Sequence, residues 1–186
     1  MVGLATADAV IIGLNPADWA LCRGLFPGVL PRGIGLELPG TVDTVGPGVA
    51  DVAAGDLVLG TADYAGGTSA DAADRAIMER WARVPAGLDR VQAAALPMAV
   101  ETAYWHLECL GVSAGQTLLV NGAGTTVGFA AARIGLQRGA RVFATAGDTY
   151  AGRLRAMGAT VTSYGDGLAA RDRLISVIRE GLRPGR

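Results

Sequence analysis

The first 95 residues alternate short apolar stretches with frequent glycine and proline. Apolar runs occur at "AVIIGL", "LELPGTVDTV" and "DLVLG", and turn residues separate them at "GLNP", "LPRG" and "VGPGV". Short strands at close spacing with such turns predict a small β barrel or sandwich. The stretch "NPADWALCRG" predicts a helix instead, because Asn15 is a good N-cap, Pro16 fits the first helical position and Gly24 can end the last turn.

The second half has longer elements in a regular order. The stretch "DRVQAAALPMAVETAYWHLECLG" predicts two helices separated at Pro97. After it, the strand-like runs "QTLLVNG", "ARVFATA" and "ATVTSYG" alternate with the helix-like runs "TVGFAAARIGLQRG", "TYAGRLRAMG" and "AARDRLISVIREG". Alternation at this spacing predicts βαβ units and a parallel sheet. The pattern therefore predicts an α/β protein with a β domain over residues 1–95 and a parallel domain over residues 96–186.

A glycine-rich turn, "NGAGTTVG", joins the first predicted parallel strand to its helix. In this position one glycine makes the tight turn, one lets the backbone approach a pyrophosphate, and one lets the helix pack on the strand. The helix N-terminus adds free N–H groups and the positive end of its dipole. The turn predicts a dinucleotide site; the alternative is a tight turn without a ligand.

Charge is unevenly distributed along a chain whose formal net charge is −1. Residues 115–186 carry ten arginines and four acidic residues, whereas residues 1–114 carry six arginines and thirteen acidic residues. A basic second half can attract a phosphate-bearing ligand, although a solvated helix face is the favoured explanation for its last five arginines. Nucleic acid is not an expected partner, because aromatic residues are few and the whole chain is slightly acidic. There is no lysine, which excludes a Walker-type phosphate loop and a Schiff base.

Three residues bear on metal binding and location: Cys22, Cys109 and His106. Their wide spacing does not support a zinc cluster. Two distant cysteines suit a reduced protein, in which we expect them to act as small buried apolar residues. No apolar run approaches ~18 residues and no charged leader precedes an apolar segment, so we expect a cytoplasmic protein without a membrane span.

Several blocks of the chain, taken in order, resemble one family. They are "GLNPADWALCRGLFPGVLPRGIGLELPGTVDTVGPGV", "GDLVLG", "ARVPAGLDRVQAAALPMAVETAY", "GVSAGQTLLVNGAGTTVG", "GARVFATAG" and "RLRAMGATVTSY". They resemble the medium-chain dehydrogenase/reductase superfamily, in its zinc-independent quinone oxidoreductase-like branch. The resemblance implies an incomplete GroES-like β domain over residues 1–95 and a partial Rossmann NADP-binding domain over residues 96–186. Family chains are longer at both ends, so we expect an exposed parallel sheet edge, which a homo-oligomer would cover.

The resemblance also implies that the site holds no metal. It places Asn15 where zinc-binding members have a Cys ligand and Leu36 where they have a His ligand. Neither residue replaces a thiolate or an imidazole on zinc. The resemblance instead places Asn15 near the nicotinamide, and its role as a helix cap remains an equal alternative.

The residues that the resemblance assigns to the cofactor fall into three groups. The pyrophosphate group is Gly122, Ala123, Gly124, Thr125, Thr126, Val127 and Gly128; the adenosine-phosphate group is Thr145, Ala146, Gly147, Arg153 and Tyr164; the nicotinamide group is Asn15 and Thr102. The second strand ends without a carboxylate, which favours NADPH over NADH. Arg153 as an exposed helix residue and Tyr164 as a core aromatic remain alternatives. The family's middle glycine is Thr125 here, whose hydroxyl could donate to phosphate, so weakened or rearranged binding is expected.

The implied reaction is hydride transfer from NADPH to a quinone or an enone-type carbonyl substrate. Asn15 and Tyr104 are the candidate catalytic residues, and Tyr64 and His106 are further proton donors by residue type alone. Because the chain is shorter than its family, two alternatives stay open. One is a non-catalytic remnant that binds NADPH weakly or acts as an interaction module, and the other is a truncated product without a function of its own.

Overall fold

A computed structural model describes residues 4–7, 11–25, 33–62 and 72–163. The chain divides into two compact units, Met1–Met98 and Ala99–Arg186. The described part of the first unit contains antiparallel strands, and that of the second contains a parallel sheet with helices. The predicted α/β class is therefore confirmed.

The first unit contains a closed barrel of four strands. They are β1 (Leu4–Ala7), β2 (Leu38–Val45), β3 (Leu57–Ala62) and β4 (Ala76–Arg83). Each strand pairs antiparallel with the next, and β1 also pairs with β4, so the closed sheet has no free edge. The barrel core is formed by apolar side chains, among them Leu38, Val42, Val58 and Met78.

The strand pattern of this unit differs from the prediction in three places. Strand β1, which pairs with both β2 and β4, is not predicted. The run "AVIIGL" predicts a strand, but among residues 11–14 only Gly13 pairs, in an isolated bridge with Glu37. Strand β4 is not predicted, although Ala76 and Met78 are buried while Ile77 between them is exposed. That alternation with period two is typical of a half-buried strand. A mixed run such as "AIMERWAR" hides it, because large apolar residues stand on both faces.

The helices of the first 109 residues follow the prediction. Helix α1 (Pro16–Cys22) begins at the N-cap Asn15, α2 is Arg90–Ala94, and α3 (Pro97–Cys109) begins at the predicted break. Proline suits such a start, because the first helical N–H has no partner within the helix. None of the described helices is long and apolar enough to cross a membrane.

The two cysteines correct one expectation. Cys22 ends α1 and Cys109 ends α3, and both are exposed and free. The prediction that they are buried was wrong, because a position at the end of a helix does not reveal which way the side chain faces.

The described part of the second unit, up to residue 163, contains a parallel three-stranded sheet in the order β5 (Thr117–Val120), β6 (Arg141–Thr145) and β7 (Thr160–Thr162). Helix α4 (Thr126–Gln137) connects β5 to β6, and α5 (Asp148–Ala156) connects β6 to β7. The predicted strand–helix alternation is confirmed through β7. The third predicted helix, over residues 169–181, lies outside the described residues.

Small residues let α4 lie close to the sheet. A Cβ at Gly135 would come within 2.7 Å of Leu118 Cδ2 on β5. Its neighbours in the core include Ala132 on α4 and the strand residues Val142 and Ala144. This close packing fixes where α4 begins, and therefore where the turn before it lies.

Candidate functional site

The glycine-rich turn lies at the carboxyl edge of the parallel sheet, between β5 and α4. Gly122 has a φ of 85°, a left-handed conformation that glycine adopts without strain. The N–H of Ala123 donates to the carbonyl of Thr145 at 2.8 Å. A Cβ at Gly128 would collide with the Gly122 carbonyl and lie 2.9 Å from Ala123 Cα. Gly122 and Gly128 are therefore required by the fold of the turn itself.

Gly124 differs from these two glycines. Its φ is not left-handed, and a Cβ built on it would lie 3.5 Å from the Tyr150 ring and 4.0 Å from Ala146 Cβ, which are ordinary contacts. The fold therefore has no need for glycine here. A Cβ at position 124 would thus be accommodated in ordinary contact with Tyr150 and Ala146.

Three backbone N–H groups, at Gly124 and at the start of α4, have no hydrogen-bond acceptor within the described parts of the chain. They belong to Gly124, Thr126 and Val127. Thr126 and Val127 begin α4, so their N–H groups lie at the positive end of the helix dipole. Free donors next to an open backbone fit the pyrophosphate of a dinucleotide. The turn thus has the features that such a cofactor requires.

Thr125 caps α4 with its own side chain. Its Oγ1 accepts from the Gly128 N–H at 3.1 Å and donates to the Gly122 carbonyl at 2.9 Å. The hydroxyl is thus occupied within the turn. Donation to a phosphate, one possibility that the sequence left open, requires the bond to Gly122 to be broken.

A buried hydroxyl at the end of β6 supports the turn. Thr145 is 1% exposed, and its Oγ1 accepts from the Gly122 N–H at 2.8 Å and donates to Asn121 Oδ1 at 2.7 Å. Its predicted role near the adenosine phosphate stays a prediction. Sequence reasoning missed the contact of Asn121 with Thr145. Polar residues at the carboxyl ends of two neighbouring parallel strands are expected to lie close together, and that pattern could have indicated it.

The end of β6 carries no carboxylate. Ala146 is buried, with its N–H bound to the Thr162 carbonyl at 3.0 Å, and Gly147 is the N-cap of α5. Asp148 is the first residue of that helix and follows the three predicted positions. The structure therefore brings the predicted turn and the predicted residues at the end of β6 to one edge of the sheet.

Two further assignments concern the adenosine side. Arg153 is exposed in the last turn of α5, about 9 Å along the helix axis from the N-cap, so only its long side chain could reach toward the sheet edge. Tyr164 lies outside the described residues. Sequence reasoning missed Tyr150, which lies in the first turn of α5 beside Gly124 and packs edge-on against Phe129 with ring centroids 6.2 Å apart.

Helix α3 carries the two other predicted residues. Thr102 is half-buried, and its carbonyl lies 2.6 Å from His106 Nδ1, which gives His106 a structural contact. Tyr104 is half exposed, and the Arg138 guanidinium lies 4.9 Å from its ring centroid. Tyr64, the other tyrosine considered as a proton donor, lies outside the described residues.

In the first unit, two buried carboxylates surround Asn15. Its backbone N–H donates to Asp18 Oδ2 at 2.8 Å, and its side-chain Nδ2 donates to Glu37 Oε1 at 2.7 Å. The other oxygens are used as well: Asp18 Oδ1 accepts from the Gly35 N–H, and Glu37 Oε2 accepts from the Met98 N–H in the first turn of α3. Asn15 and Asp18 form a capping box at the start of α1, in which the Asn15 side chain accepts from the Asp18 N–H and the Asp18 carboxylate accepts from the Asn15 N–H. The Asp18 N–H also donates to the Asn15 backbone carbonyl at 3.0 Å.

The environment of Glu37 changes its acidity. Burial raises the pKa of this carboxyl above its ordinary value, and the nearby charge of Asp18 adds to the rise. The hydrogen bonds from the Met98 N–H and the Asn15 amide act in the opposite direction. Sequence reasoning missed Glu37, although one charged residue inside the apolar run "GIGLELPG" is unusual enough to indicate a special role.

The described residues contain no group of three or more His, Cys, Asp or Glu side chains arranged to hold a metal ion. Leu36 is half-buried and has no donor atom in its side chain. The Asn15 amide nitrogen is turned toward Glu37. These two positions offer no thiolate or imidazole to zinc.

Comparison with known proteins gives consistent matches for both units. The sequence pattern of the alcohol dehydrogenase GroES-like domain matches residues 5–87. Erythronolide synthase EryA2 of Saccharopolyspora erythraea is 39% identical over 157 residues, which is 84% of this chain and 4% of that protein. The phenolphthiocerol synthesis polyketide synthase type I Pks15/1 of Mycobacterium bovis is 36% identical over 165 residues, covering 88% of this chain and 8% of that protein. The chain thus spans a small fraction of these curated relatives.

Solved structures match over most of the chain. An alcohol dehydrogenase superfamily protein from Novosphingobium aromaticivorans has a TM-score of 0.74 and 37% identity, covering 87% of this chain and 50% of that one. Escherichia coli quinone oxidoreductase, solved with NADPH, has a TM-score of 0.71 and 26% identity, covering 95% of this chain and 54% of that one. An NAD-dependent alcohol dehydrogenase has a TM-score of 0.74 and 29% identity, covering 97% of this chain and 60% of that one.

Proposed function

Since the chain belongs to the medium-chain dehydrogenase/reductase superfamily, in its quinone oxidoreductase-like branch, we propose that it is an NADPH-dependent oxidoreductase. It reduces a double bond conjugated to a carbonyl, in an enone or a quinone, without zinc. The observation that carries this proposal is the turn at Gly124. There the fold would tolerate a Cβ that the chain lacks, and three N–H donors have no acceptor within the described residues.

The protein's contribution to the reaction is binding and orientation. The N–H groups of Gly124, Thr126 and Val127 bind the pyrophosphate, and the α4 dipole favours its charge. When bound, NADPH supplies the hydride that adds to the conjugated double bond. Thr102, in the same unit as the turn, orients the reacting end, as the family resemblance implies. The proton that completes the reduction comes from solvent or from Tyr104, which is exposed.

Two observations support NADPH over NADH and a mechanism without metal. The positions at the end of β6, Thr145 to Gly147, carry no carboxylate that would bind the ribose hydroxyls and repel a 2′-phosphate. A matched quinone oxidoreductase was solved with NADPH. Asn15 and Leu36 supply no zinc ligand.

The polyketide synthases among the relatives favour an enone-type substrate over a quinone. A polyketide is assembled from carbonyl-containing units. A double bond in the growing polyketide that is conjugated to its thioester carbonyl forms an unsaturated acyl thioester. Such a substrate is electrophilic at its β-carbon, which accepts the hydride, and its α-carbon takes the proton. We therefore propose an unsaturated acyl thioester as the substrate class.

A reducing compartment suits the chain. Cys22 and Cys109 are exposed and unpaired, and thiols of this kind persist where glutathione keeps them reduced. We accordingly place the protein in the cytoplasm as part of the proposal. Fractionation of the source cells with antibody detection tests this location.

The experiment has a binding step and a turnover step. Calorimetric titration with NADPH, and with NADH as a comparison, is expected to give saturable binding that is tighter for NADPH. Absorbance of the reduced cofactor is then followed with an unsaturated acyl thioester of N-acetylcysteamine and, separately, with a simple benzoquinone. Faster oxidation with the thioester supports the substrate class, and faster oxidation with benzoquinone contradicts it.

Binding without turnover of either substrate would contradict the enzymatic proposal and favour a cofactor-binding module. Absence of binding at millimolar NADPH, in a protein that unfolds cooperatively, would contradict the cofactor itself. Gly124→Val is the negative control for both steps, and Gly152→Val, on the exposed side of α5 with open space around it, is the matched positive control.

A further inference from the structure

Thr145 has a buried hydroxyl group with one proton to donate. The side chain is 1% exposed at the end of β6, and its Oγ1 accepts from the Gly122 N–H at 2.8 Å. The hydroxyl proton needs an acceptor of its own, and within the described residues that acceptor is Asn121 Oδ1, 2.7 Å away. Because a buried donor without an acceptor costs free energy, the proton is directed toward Asn121.

This bond fixes which end of the Asn121 amide faces Thr145. An asparagine side chain has one acceptor oxygen and one NH₂ group with two donors. If the amide turned over, its NH₂ group would face Thr145 Oγ1, and the buried hydroxyl proton would lose its acceptor. The arrangement therefore holds Oδ1 against Thr145 and leaves Nδ2 on the branch that faces away from it.

The NH₂ group of Asn121 is a donor without an acceptor among the described residues. Asn121 is exposed and directly precedes Gly122, the first glycine of the turn. It therefore brings two N–H donors to the carboxyl edge of the parallel sheet, next along the chain to the backbone donors of Gly124, Thr126 and Val127. No carboxylate occurs between residues 121 and 128 to accept from them.

The fixed orientation limits what this NH₂ group can bind. A group that presents only donors selects a ligand that presents acceptors, because two donors cannot share a hydrogen bond. Phosphate oxygens accept without donating, and their negative charge strengthens the bond. A ribose hydroxyl both donates and accepts, so it has no such need of a fixed amide. The orientation of Asn121 therefore favours a phosphate oxygen as its partner.

We propose that Asn121 is a further binding residue of the cofactor site, whose NH₂ group, oriented by the Thr145 hydroxyl, donates to a phosphate oxygen of the bound dinucleotide. Thr145 is a positioning residue in this respect, because it acts through Asn121. The inference rests on the proposed function for the identity of the ligand. The phosphate is either the pyrophosphate, which NADPH and NADH share, or the 2′-phosphate, which NADPH alone carries.

Asn121→Asp tests the proposal by changing one end of the side chain. Aspartate has nearly the same shape as asparagine, and one of its oxygens still accepts from the Thr145 hydroxyl. The other branch changes from a donor to a negatively charged acceptor, which repels phosphate. We expect a melting temperature close to that of the wild type and NADPH binding that is at least about tenfold weaker, the loss expected for one charge-assisted hydrogen bond. A merely structural role would lower the melting temperature instead.

The matched control is Gln137→Glu, which also converts an exposed amide to a carboxylate. Gln137 ends α4, about 16 Å along the helix axis from Thr126, and salt screens charges at that separation. We expect it to bind NADPH as the wild type does. An equal loss in Gln137→Glu and Asn121→Asp would be a general effect of charge and would overturn the proposal.

Asn121→Ala is the second variant, should Asn121→Asp fail to fold. It removes the donors without adding a charge, and NADPH affinity must fall about three- to tenfold. Wild-type affinity in either Asn121 variant overturns the proposal. Titration with both cofactors then distinguishes the two phosphates. Losses of equal size for NADPH and NADH identify the pyrophosphate, and a loss confined to NADPH identifies the 2′-phosphate.

A measurement without NADPH separates this inference from the proposed function. In NMR spectra of the wild type, the Thr145 hydroxyl proton is expected to exchange slowly enough to be observed and to show a nuclear Overhauser effect to the Gly122 N–H. The signal should persist in Asn121→Asp and disappear in Asn121→Ala. Its absence from the wild type would overturn the fixed orientation.

Inorganic pyrophosphate is the probe for the binding role itself. Its titration is expected to shift the side-chain NH₂ signals of Asn121 saturably. Such a shift in a chain that binds no NADPH would contradict the proposed function and leave the phosphate contact standing. If neither pyrophosphate nor NADPH shifts these signals, the binding role of Asn121 is overturned.

Discussion

The backbone N–H of Gly122 donates to the buried hydroxyl of Thr145 at 2.8 Å. The bond joins the first glycine of the glycine-rich turn to the end of the neighbouring strand. It is reinforced by the bond from the Ala123 N–H to the Thr145 carbonyl at 2.8 Å. One residue of β6 therefore holds the start of the turn at two points, and the proposed phosphate donors follow directly after it.

Thr145→Val tests this support. Valine matches the shape of threonine, but it leaves the half-buried Gly122 N–H without its acceptor, whereas the exposed Asn121 Oδ1 can accept from water, so the cost is about 1 kcal/mol. We expect a loss of that size in the free energy of unfolding, measured with urea, and weaker NADPH binding. Thr145→Ser keeps the hydroxyl and is the control. A valine variant as stable as the serine variant would contradict the role of the bond.

Gly124→Val separates folding from binding. The backbone there is not left-handed and a Cβ finds ordinary contacts, so the variant is expected to fold with a melting temperature close to that of the wild type. Its side chain would fill the space proposed for the pyrophosphate and abolish NADPH binding. Gly152→Val, with open space around it, is expected to bind normally. Unchanged affinity in the Gly124 variant would refute the phosphate assignment.

Thr125→Gly is expected to change stability and binding in opposite directions. Loss of the Thr125 hydroxyl removes the cap on the Gly128 N–H and costs about a few tenths of a kcal/mol of stability, because glycine itself is a fair N-cap residue. The same change frees that N–H as a fourth donor and removes a Cβ beside the turn, so NADPH should bind more tightly. Urea unfolding and calorimetry on the same sample measure the two effects. Tighter binding is the discriminating result; weaker binding would mean that the cap is needed to form the site.

Glu37 predicts a pH dependence of stability. Burial raises its pKa in the folded state above the ordinary value of 4.5, so as the pH increases from about 4.5 the unfolded chain releases this proton first. The folded state then binds more protons than the unfolded state, and the contribution of Glu37 to stability falls until the folded-state pKa is passed. Below about pH 4.5 both states are protonated and the contribution is constant.

The measurement compares urea unfolding of the wild type and Glu37→Gln from mildly acidic to neutral pH. The difference between their free energies of unfolding should change just above pH 4.5, in the direction that disfavours the wild type. Asp56 acts with the opposite sign at lower pH. Its pKa is lowered by the Ala53 N–H and by Arg83, so its contribution is lost as the pH falls below 3.8. A flat difference above pH 4.5 would contradict the shift assigned to Glu37.

The local pattern of the sequence was sufficient for much of the fold. Asn15 with Pro16 marked the start of α1, Pro97 marked the start of α3, and the strand–helix alternation after Gln116 described the sheet through β7. These features depend on backbone chemistry within a few residues, so they can be read without knowledge of distant contacts. The strand β4 and the bridge at Gly13 could not be read in this way, because they depend on pairing with remote partners.

The features of the candidate site also separate into those that the local sequence determines and those that depend on distant contacts. The sequence by itself determined that a glycine turn opens a helix after a parallel strand, that no carboxylate ends the second strand, and that positions 15 and 36 carry no zinc ligand. Only the tertiary structure decided which glycine the fold does not need, that Thr125 caps its own helix, and that Glu37 turns the Asn15 amide. The reason is physical: residue type sets what a group can donate or accept, but which partner fills that capacity depends on groups brought together from as many as 61 residues away along the chain.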